Sequence, residues 1–427
     1  MNTDLLDKNF AVGYPEELDG QLDMANGHAN VCKFNRIGTL VAVGSNDGRI
    51  FLFDFVTRGL IKSWTAHVKP IASLDFSRNG RMLLSGSAES AVALWNVVDT
   101  NGHVDRFHFG TCVTATYAHF NPRDENQFLV LIFGTQTSSS VCSCILRDIS
   151  KKEEVRLGAQ LPSQDDALSA ATFDKRGQFV MLGTIKGRVL MYCTKTKKLL
   201  KTLAQPVNHM IRNFIVTRRN GFVMTNSYDR IVRCYRLEDF KNASDGQVIE
   251  PLQKFQDMVN KISWKLICAS NEGDYVCGAS AKSHSLHIWE RNSGNLIKIL
   301  HGPKGELLTD VQWHPSRSII LSVANGVVSI WTQAHVENWS AFAPDFVELD
   351  DNRKYVETEF EFDVEDEDAS EETKDRLDED EEAEIDVTGL DPADIGSSDE
   401  DVNDDGTLWF LPVTKEIEQF EDEKPHV

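Results

Sequence analysis

Residues Leu74–Val97, which read LDFSRNGRMLLSGSAESAVALWNV, contain the pattern that decides the fold. Three apolar segments of strand length are separated by two short polar turns, and the first turn carries Gly80. Glycine suits a tight turn because it tolerates positive φ. The second segment ends in small residues, and the third ends close to the aromatic residue Trp95. The stretch therefore predicts three consecutive strands joined by hairpin turns.

This pattern recurs seven times along the chain. The residues that correspond to Trp95 are separated by 42, 52, 45, 43, 54 and 42 residues, and the shorter spacings match the ~40–45 residues of a WD-repeat blade. The sequence therefore predicts an all-β fold, a seven-bladed WD-repeat β-propeller, although it contains no Trp–Asp dipeptide. The indexed residues are Phe53, Trp95, Arg147, Tyr192, Tyr235, Trp289 and Trp331, within third strands predicted at Phe51–Phe55, Val92–Val97, Cys144–Ile149, Val189–Thr194, Val232–Leu237, Leu286–Arg291 and Val328–Gln333.

The two long spacings predict insertions in loops at the blade edges. Their predicted positions are Asn121–Gln127 together with Gly134–Ser140, and Asp239–Pro251. A propeller must also close, because an open ring exposes unpaired strand edges. Two segments compete for that role, Asp19–Gly27 and Ala334–Ser340, and the pattern does not decide between them.

Charge divides the chain into two regions of different composition. The formal net charge is −22, and Asp345–Val427 holds 34 acidic and 6 basic residues, which leaves 32 acidic and 38 basic in the remainder. A polyanion with few apolar residues cannot bury enough surface to fold alone. We therefore predict an N-terminal extension at 1–18, the propeller at 19–333, a hinge at 334–350 and a largely disordered acidic tail at 351–427.

A search for catalytic chemistry finds no recognised motif for phosphate binding, nucleophilic catalysis or zinc hydrolysis. His67 precedes a strand at the spacing of a structural blade histidine, which we favour over a catalytic role. His103 and His108 lie near Asp105 in a predicted loop, where solvation is the simpler interpretation. His284 and His287 flank a strand beside Trp289, with no acidic partner expected nearby. We expect no enzymatic activity, cofactor, metal or small-molecule substrate.

Other features bear on the compartment. The eight cysteines are scattered without a CxxC pair, and most occupy strand-like stretches, which is typical of buried reduced thiols in a cytosolic or nuclear protein. The first residues, 1–13, lack the apolar run of a signal peptide. The densest apolar run, Phe128–Phe133, is too short to cross a bilayer, so we expect no membrane contact.

Basic residues concentrate in Thr194–Lys201, at a predicted turn with Arg218 and Arg219, and at another turn with Lys151 and Lys152. Ordinary solubilising charge is the simpler interpretation of any one cluster, and a weak, salt-sensitive contact with nucleic acid is the functional one. The candidate residues are Lys195, Lys197, Lys198, Lys201, Arg218 and Arg219.

Apolar segments interrupt the acidic tail, which a purely solvating tail would not need. Glu337–Phe346 places three aromatic residues outside the repeats, and Glu359–Asp368 alternates apolar and acidic residues. Glu384–Pro392 and Leu408–Val413 are two further islands. Buried aromatic and aliphatic side chains dominate protein interfaces, so these segments indicate docking.

Several strings resemble the retinoblastoma-binding protein five family, the WD-repeat subunits of COMPASS-type and mixed-lineage-leukaemia-type histone methyltransferase complexes. They are YPEELDG at Tyr14–Gly20, GSNDGRI at Gly44–Ile50, GNLIKILHG at Gly294–Gly302, VENWSAFAPDF at Val336–Phe346, EFDVEDED at Glu361–Asp368 and IDVTGLDP at Ile385–Pro392. The resemblance runs over nearly the whole chain. It implies a nuclear, non-catalytic scaffold that helps a SET-domain subunit to methylate histone H3 at its fourth-position lysine.

The resemblance also implies which partner each segment contacts, and makes 334–350 an activation segment as well as a hinge. The SET-domain methyltransferase would contact Asn338, Trp339, Ser340, Ala341, Phe342, Ala343, Pro344, Asp345 and Phe346. A SPRY-domain subunit would bind Glu361, Phe362, Asp363, Val364, Glu365, Asp366, Glu367 and Asp368. A subunit of the WD-repeat protein five type would bind Glu384, Ile385, Asp386, Val387, Thr388, Leu390, Asp391 and Pro392.

Other function classes remain open at the level of sequence. An acidic-tailed propeller could instead be a histone chaperone whose tail binds basic histones by charge alone. Such a tail does not need Trp339 or Val387, and these residues favour the scaffold. A propeller enzyme would need a polar cluster in the central channel, which the sequence does not place. Contact between the propeller and the nucleosome is a further expectation.

Overall fold

The computed structural model describes residues 13–24, 27–89, 91–99, 103–109, 113–136, 139–158, 166–218, 221–257, 260–334 and residue 408. Within these ranges the chain forms 28 strands and one short helix. The strands group into seven four-stranded antiparallel sheets, which are the blades of a propeller. The predicted all-β, seven-bladed WD-repeat fold is confirmed.

The first strand, β1 (Glu17–Leu22), belongs to the last blade, and the other strands follow in chain order. The first three blades are β2 (Ala29–Phe34), β3 (Leu40–Ser45), β4 (Arg49–Asp54) and β5 (Leu60–Thr65); β6 (Ile71–Phe76), β7 (Met82–Ser87), β8 (Ala91–Asn96) and β9 (His103–His108); and β10 (Val113–Phe120), β11 (Gln127–Gln136), β12 (Ser139–Asp148) and β13 (Glu153–Leu157).

Blades four to seven repeat the arrangement, and a helix lies between two strands of blade five. They contain β14 (Leu168–Phe173), β15 (Phe179–Thr184), β16 (Arg188–Cys193) and β17 (Leu199–Ala204); β18 (Ile211–Val216), β19 (Phe222–Ser227), β20 (Val232–Arg236), α1 (Leu237–Asn242) and β21 (Gln253–Phe255); β22 (Trp264–Ala269), β23 (Tyr275–Ser280), β24 (Ser285–Glu290) and β25 (Leu296–His301); and β26 (Leu308–Trp313), β27 (Ile320–Ala324) and β28 (Val327–Thr332) with β1.

Blade seven is completed by the N-terminal segment. Strand β1 pairs antiparallel with β28, from Glu17 opposite Thr332 to Leu22 opposite Val328. This pairing selects the N-terminal candidate for closure, and the strand begins two residues before the boundary predicted at 19. The neighbouring seam with blade one is fixed by His314, whose Nε2 lies 3.1 Å from the Gly38 carbonyl oxygen.

The connectivity defines two faces of the ring. We call the strands of each blade a to d in the order of the meander, with a lining the central channel, so that β1 is strand d of blade seven. The a–b and c–d turns lie at one end of every blade, which we call the bottom face. The b–c turns and the connections between blades lie at the opposite end, the top face. This geometry decides which loops can form a common surface.

Small residues in the b strands let neighbouring blades pack closely. A Cβ built on Gly44 would lie 2.8 Å from Ile71 Cγ2, which belongs to strand a of the next blade. Within blade six, a Cβ on Gly278 would lie 2.8 Å from the Trp289 ring and 3.0 Å from the Trp264 ring. The small residues predicted at the ends of the second strands are therefore required by the packing of the rings and strands around them.

The seven indexed residues occupy the same place in every blade. Each is in strand c, and each pairs with the first or second residue of strand b. Six of them are buried rings, and Arg147 in blade three is the exception. Its guanidinium lies 4.0 Å from the centre of the Phe107 ring and pairs with Glu154. A stacked cation therefore replaces the ring at this position.

Three local predictions were wrong. Most of Gly134–Ser140 is strand, because β11 extends to Gln136 and β12 begins at Ser139. The insertion at Asp239–Pro251 includes most of α1, whose buried residues Leu237 and Phe240 join the apolar cluster of blades four and five. His103 and His108 are the two ends of strand β9, not members of a loop.

Candidate protein-interaction surface

His67 is part of a buried chain of hydrogen bonds in blade two. Trp95 Nε1 donates to Ser85 Oγ at 2.8 Å, and the same hydroxyl lies 2.8 Å from His67 Nε2. His67 Nδ1 lies 2.6 Å from a carboxylate oxygen of Glu89. Burial lowers the pKa of His67, which favours the neutral ring. In that form Nδ1–H donates to the Glu89 carboxylate and Nε2 accepts a hydrogen bond from the Ser85 hydroxyl. The interpretation of His67 as a structural residue fits this geometry.

Blade seven contains the same chain with a histidine from a different place. Trp331 Nε1 donates to Ser322 Oγ at 2.8 Å, and Ser322 Oγ lies 3.1 Å from His284 Nε2. His284 comes from the b–c turn of blade six, and its Nδ1 lies 3.0 Å from Glu306. The expectation that His284 lacks an acidic partner was therefore wrong.

The same expectation was wrong for His287. Its Nε2 lies 3.8 Å from a carboxylate oxygen of Asp257, and its ring packs against Trp264 with the ring centres 5.0 Å apart. The acidic partner is thirty residues away in the sequence and reaches the histidine only through the fold. Sequence reasoning missed both pairs because it considered only near neighbours in the chain.

Basic residues recur around the bottom face. Every a–b turn except that of blade six contains at least one arginine or lysine. Sequence reasoning identified only one of these turns as basic, although a comparison of the seven a–b turns with one another would have shown the rest. The residues are Arg36, Arg78 with Arg81, Arg123, Lys175 with Arg176, Arg218 and Arg317.

The lysine cluster of blade four lies at the same face but does not act as one unit. Lys195 and Lys198 are exposed in the c–d turn, whereas Lys197 forms an ion pair with Glu153 at 2.7 Å. Lys201 is half-buried and donates to the carbonyl oxygens of Lys241 at 2.6 Å and Ala243 at 2.7 Å, at the end of α1. Lys201 therefore holds the helix, which argues against a role in nucleic-acid binding.

Arg218 shares the bottom face with these lysines. Its Nη1 donates to the Arg36 carbonyl oxygen at 2.9 Å, which joins blade five to blade one across the mouth of the channel. The contact borders a cavity of about 120 Å³ that Phe34, Trp313 and His314 also line. Arg219 lies outside the described residues. The structure therefore places Arg218 at the channel mouth and Lys195 and Lys198 at the rim of the same face.

Two carboxyl groups on the strands that line the channel have pKa values shifted in opposite directions. Burial raises the pKa of Asp310 to about 6, although its oxygens accept the backbone N–H groups of Cys32 and Val311. Burial would also raise the pKa of Asp75, but Lys33 at 3.3 Å and the nearby His119 outweigh it and lower that pKa to about 2. These groups connect adjacent a strands, so their arrangement is that of structural pairs.

Within the described part of the chain, no group of three or more His, Cys, Asp and Glu side chains is placed to hold a metal ion. Seven cysteines are free thiols there, five of them buried. Over the same ranges, no helix is long and apolar enough to cross a bilayer.

All three predicted partner segments lie outside the described residues. This holds for the SET-domain segment Asn338–Phe346, the SPRY segment Glu361–Asp368 and the WD-repeat segment Glu384–Pro392. The predicted tail boundary at 351 falls there as well. The island at Leu408–Val413 is represented by Leu408 alone, which lies against the propeller.

Comparison with known proteins agrees with this architecture. The family model described as WD domain, G-beta repeat matches residues 58–96 and 294–332. These two stretches end in the third strands of blades two and seven, which carry the Ser–Trp hydrogen bonds. A crystal structure of the Myceliophteria thermophila Cps50 (Swd1) β-propeller domain superposes with a TM-score of 0.65 at 29% identity, covering 73% of this chain and 99% of that one.

One curated relative covers almost the whole chain, and a second covers most of it. Retinoblastoma-binding protein homolog 5 of Caenorhabditis elegans is 44% identical, with 99% of this chain and 93% of the relative covered. Set1 complex component swd1 of Schizosaccharomyces pombe is 30% identical, with 86% and 91% covered. The chain therefore belongs to the retinoblastoma-binding protein five family of WD-repeat propellers, as its sequence motifs indicated.

Proposed function

We propose that this chain is a non-catalytic scaffold and activating subunit of a nuclear histone H3 lysine-4 methyltransferase complex of the Set1/COMPASS type. The observation that carries the proposal is the similarity over almost the whole chain to a family whose fission-yeast member is named a Set1 complex component. The geometry is compatible with this role, because the histidines and carboxylates described above are held in structural pairs inside the blades.

The tail supplies the proposed contacts with partners. Asn338–Phe346 contacts the SET domain, Glu361–Asp368 binds the SPRY-domain subunit and Glu384–Pro392 binds a second WD-repeat subunit. Each segment is short, so each contact alone is weak once the cost of ordering the segment is counted. On one chain the contacts raise one another's effective concentration, by up to ~10²–10⁴ in overall avidity.

The proposed division of labour separates assembly from activation. Val387→Glu should break the contact with the second WD-repeat subunit, because it buries a charge without a partner. It should leave SPRY binding intact, since the two segments are separate on the chain. Trp339→Ala with Phe342→Ala should leave both of those contacts in place and lower methylation of histone H3 by the assembled complex.

The measurement is a pull-down of each subunit beside a methylation assay of the reconstituted complex. Ile395→Glu is a matched control, because it changes an apolar tail residue outside the three segments. Normal assembly and normal methylation by the aromatic double variant would make Asn338–Phe346 a passive linker and refute the activation mechanism. Methyl transfer by the purified chain alone would refute the non-catalytic role.

The SPRY contact has a test of its own. Reversal of Glu365–Asp368 to lysine should weaken SPRY binding and reduce its dependence on salt, because these four charges are proposed to meet a basic rim. Reversal of Glu379–Glu382 is the control with the same number of charges elsewhere in the tail. Equal affinities in the two variants would place the epitope outside Glu365–Asp368.

Contact between the nucleosome and the bottom face is a second proposal. It is supported by the recurrence of basic residues in the a–b turns together with exposed Lys195 and Lys198. Charge-based contact predicts affinity that falls steeply with salt.

A histone chaperone would use charge alone, so Val387→Glu and Trp339→Ala would leave histone binding by a chaperone unchanged.

A further inference from the structure

Leu408 makes a defined contact with the propeller, more than seventy residues after the last strand. Its backbone N–H donates to the Asn79 carbonyl oxygen at 2.8 Å, in the a–b turn of blade two. Its side chain is partly buried and packs against the apolar cluster between blades one and two, whose members include Phe76 and Val97. This residue therefore combines a backbone hydrogen bond with apolar burial.

The turn that receives Leu408 is held in place independently of the tail. The carboxylate of Glu125, from the a–b turn of blade three, accepts the Asn79 backbone N–H at 3.0 Å and its Nδ2 at 2.7 Å. The Asn79 side-chain oxygen accepts from Ser77 Oγ at 2.7 Å and from the Arg81 backbone N–H at 2.9 Å. These bonds occupy the other polar atoms of Asn79 and fix the direction of its carbonyl group.

Gly80 lies directly beneath Leu408 in this turn. Its φ is +75°, and a Cβ built there would lie 3.5 Å from the Leu408 carbonyl oxygen and 3.7 Å from Leu408 Cβ. The Leu408 backbone therefore passes directly over the turn, and a side chain at position 80 would make ordinary van der Waals contact with it. The left-handed conformation favours glycine at this position for its own sake.

Position and charge agree with this contact. Strand β28 ends at the bottom face, and the a–b turn of blade two lies at the same face, so the chain leaves and returns on one side of the ring. Arg78 and Arg81 flank Asn79 and Gly80, while Asp404 and Asp405 shortly precede Leu408. Opposite charges near the contact favour this docking over docking at a neutral turn.

We propose that Leu408 anchors the end of the tail to the a–b turn of blade two, so that residues 335–407 form a loop attached to the propeller at both ends. The occupant of this docking site is the chain's own C-terminal segment. All three segments proposed to bind partners lie within the loop. The contact does not depend on the proposed methyltransferase role.

Hydrogen exchange of the full-length chain, read by mass spectrometry, tests the proposal. Fragments that contain the Leu408 amide should exchange about tenfold more slowly than an unstructured peptide of the same sequence, since one hydrogen bond and partial burial of a leucine stabilise the docked state. Leu408→Asp should remove this protection and leave the protection of the blade strands unchanged. Val402→Asp, the same kind of change nearby in the tail, should retain it.

Three outcomes would overturn the proposal. The first is exchange of the Leu408 amide at the unstructured rate in the natural sequence. The second is equal loss of protection in the Leu408→Asp and Val402→Asp variants. The third is protection that disappears on dilution, which would assign the contact to a second copy of the chain. Protection that is independent of concentration and lost only in Leu408→Asp supports the internal anchor.

Discussion

The hydroxyl of Ser85 should be among the most important small groups in the propeller. It accepts the Trp95 Nε1–H and lies within hydrogen-bond distance of His67 Nε2, and both rings are buried. Ser85→Ala removes one oxygen atom and leaves two ring nitrogens without this partner. We therefore expect a loss of stability much larger than a surface serine would give.

The magnitude follows from the two orphaned groups. A buried polar atom that loses its partner costs about 1–3 kcal/mol, so the two nitrogens together predict a fall of about 2–6 kcal/mol in the free energy of unfolding. Ser63→Ala is the matched control, because Ser63 is exposed in β5, strand d of blade one. Substitutions at such surface positions usually change stability by less than about 0.5 kcal/mol.

Urea denaturation of the full-length chain measures the difference. Trp95→Phe keeps a large ring and removes the N–H donor, so the double variant with Ser85→Ala should be less destabilised than the sum of the single variants by about 0.5–3 kcal/mol. A Ser85→Ala effect no larger than that of Ser63→Ala, or full additivity in the double variant, would refute the interpretation of this chain of hydrogen bonds.

Three further predictions concern the channel, the interior of blade six and the bottom face. The raised pKa of Asp310, about 6 against an ordinary 3.8, means that the folded state keeps a proton that the unfolded state loses, so stability should fall as pH rises between these values. Asp310→Asn should flatten this decrease in unfolding experiments and add up to about 3 kcal/mol above pH 6. Gly278→Val should destabilise the chain by about 1–3 kcal/mol or more in the same denaturation assay, because its side chain would collide with the rings of Trp289 and Trp264. If the bottom face binds DNA, Lys195→Glu with Lys198→Glu should reduce the slope of log affinity against log salt concentration by about 2. Lys201→Met should instead lower stability without changing that slope. Equal slopes for the natural sequence, the double variant and Lys201→Met would exclude Lys195 and Lys198 from the contact.

The sequence predicted the repeat well because each blade obeys the same local rules. Arg147 occupies the same strand position as the six aromatic residues, because strand position depends on alternation and turn length more than on the identity of one side chain. The same strand position buries both Trp95 and Trp289.

The failures share a physical cause, which is that they depend on contacts distant in sequence. His284 completes the hydrogen-bond chain of a neighbouring blade, and His287 meets Asp257 through the fold. Lys201 looked like a surface charge, but α1 brings two carbonyl oxygens to it. No local pattern shows which distant group a polar side chain will meet, so its role follows only from the assembled blades.

The choice of β1 as the closing strand has a consequence for how the protein is made. During synthesis, β1 leaves the ribosome first, but its partner β28 is about three hundred residues later. At about 5–20 residues per second, the segment waits roughly 15–60 s with its backbone groups unpaired. Throughout that delay, Glu17–Leu22 is available to chaperones or to a wrong strand edge. The ring is therefore completed only after translation of the last blade, and the first strand of the propeller to be made is the last to pair.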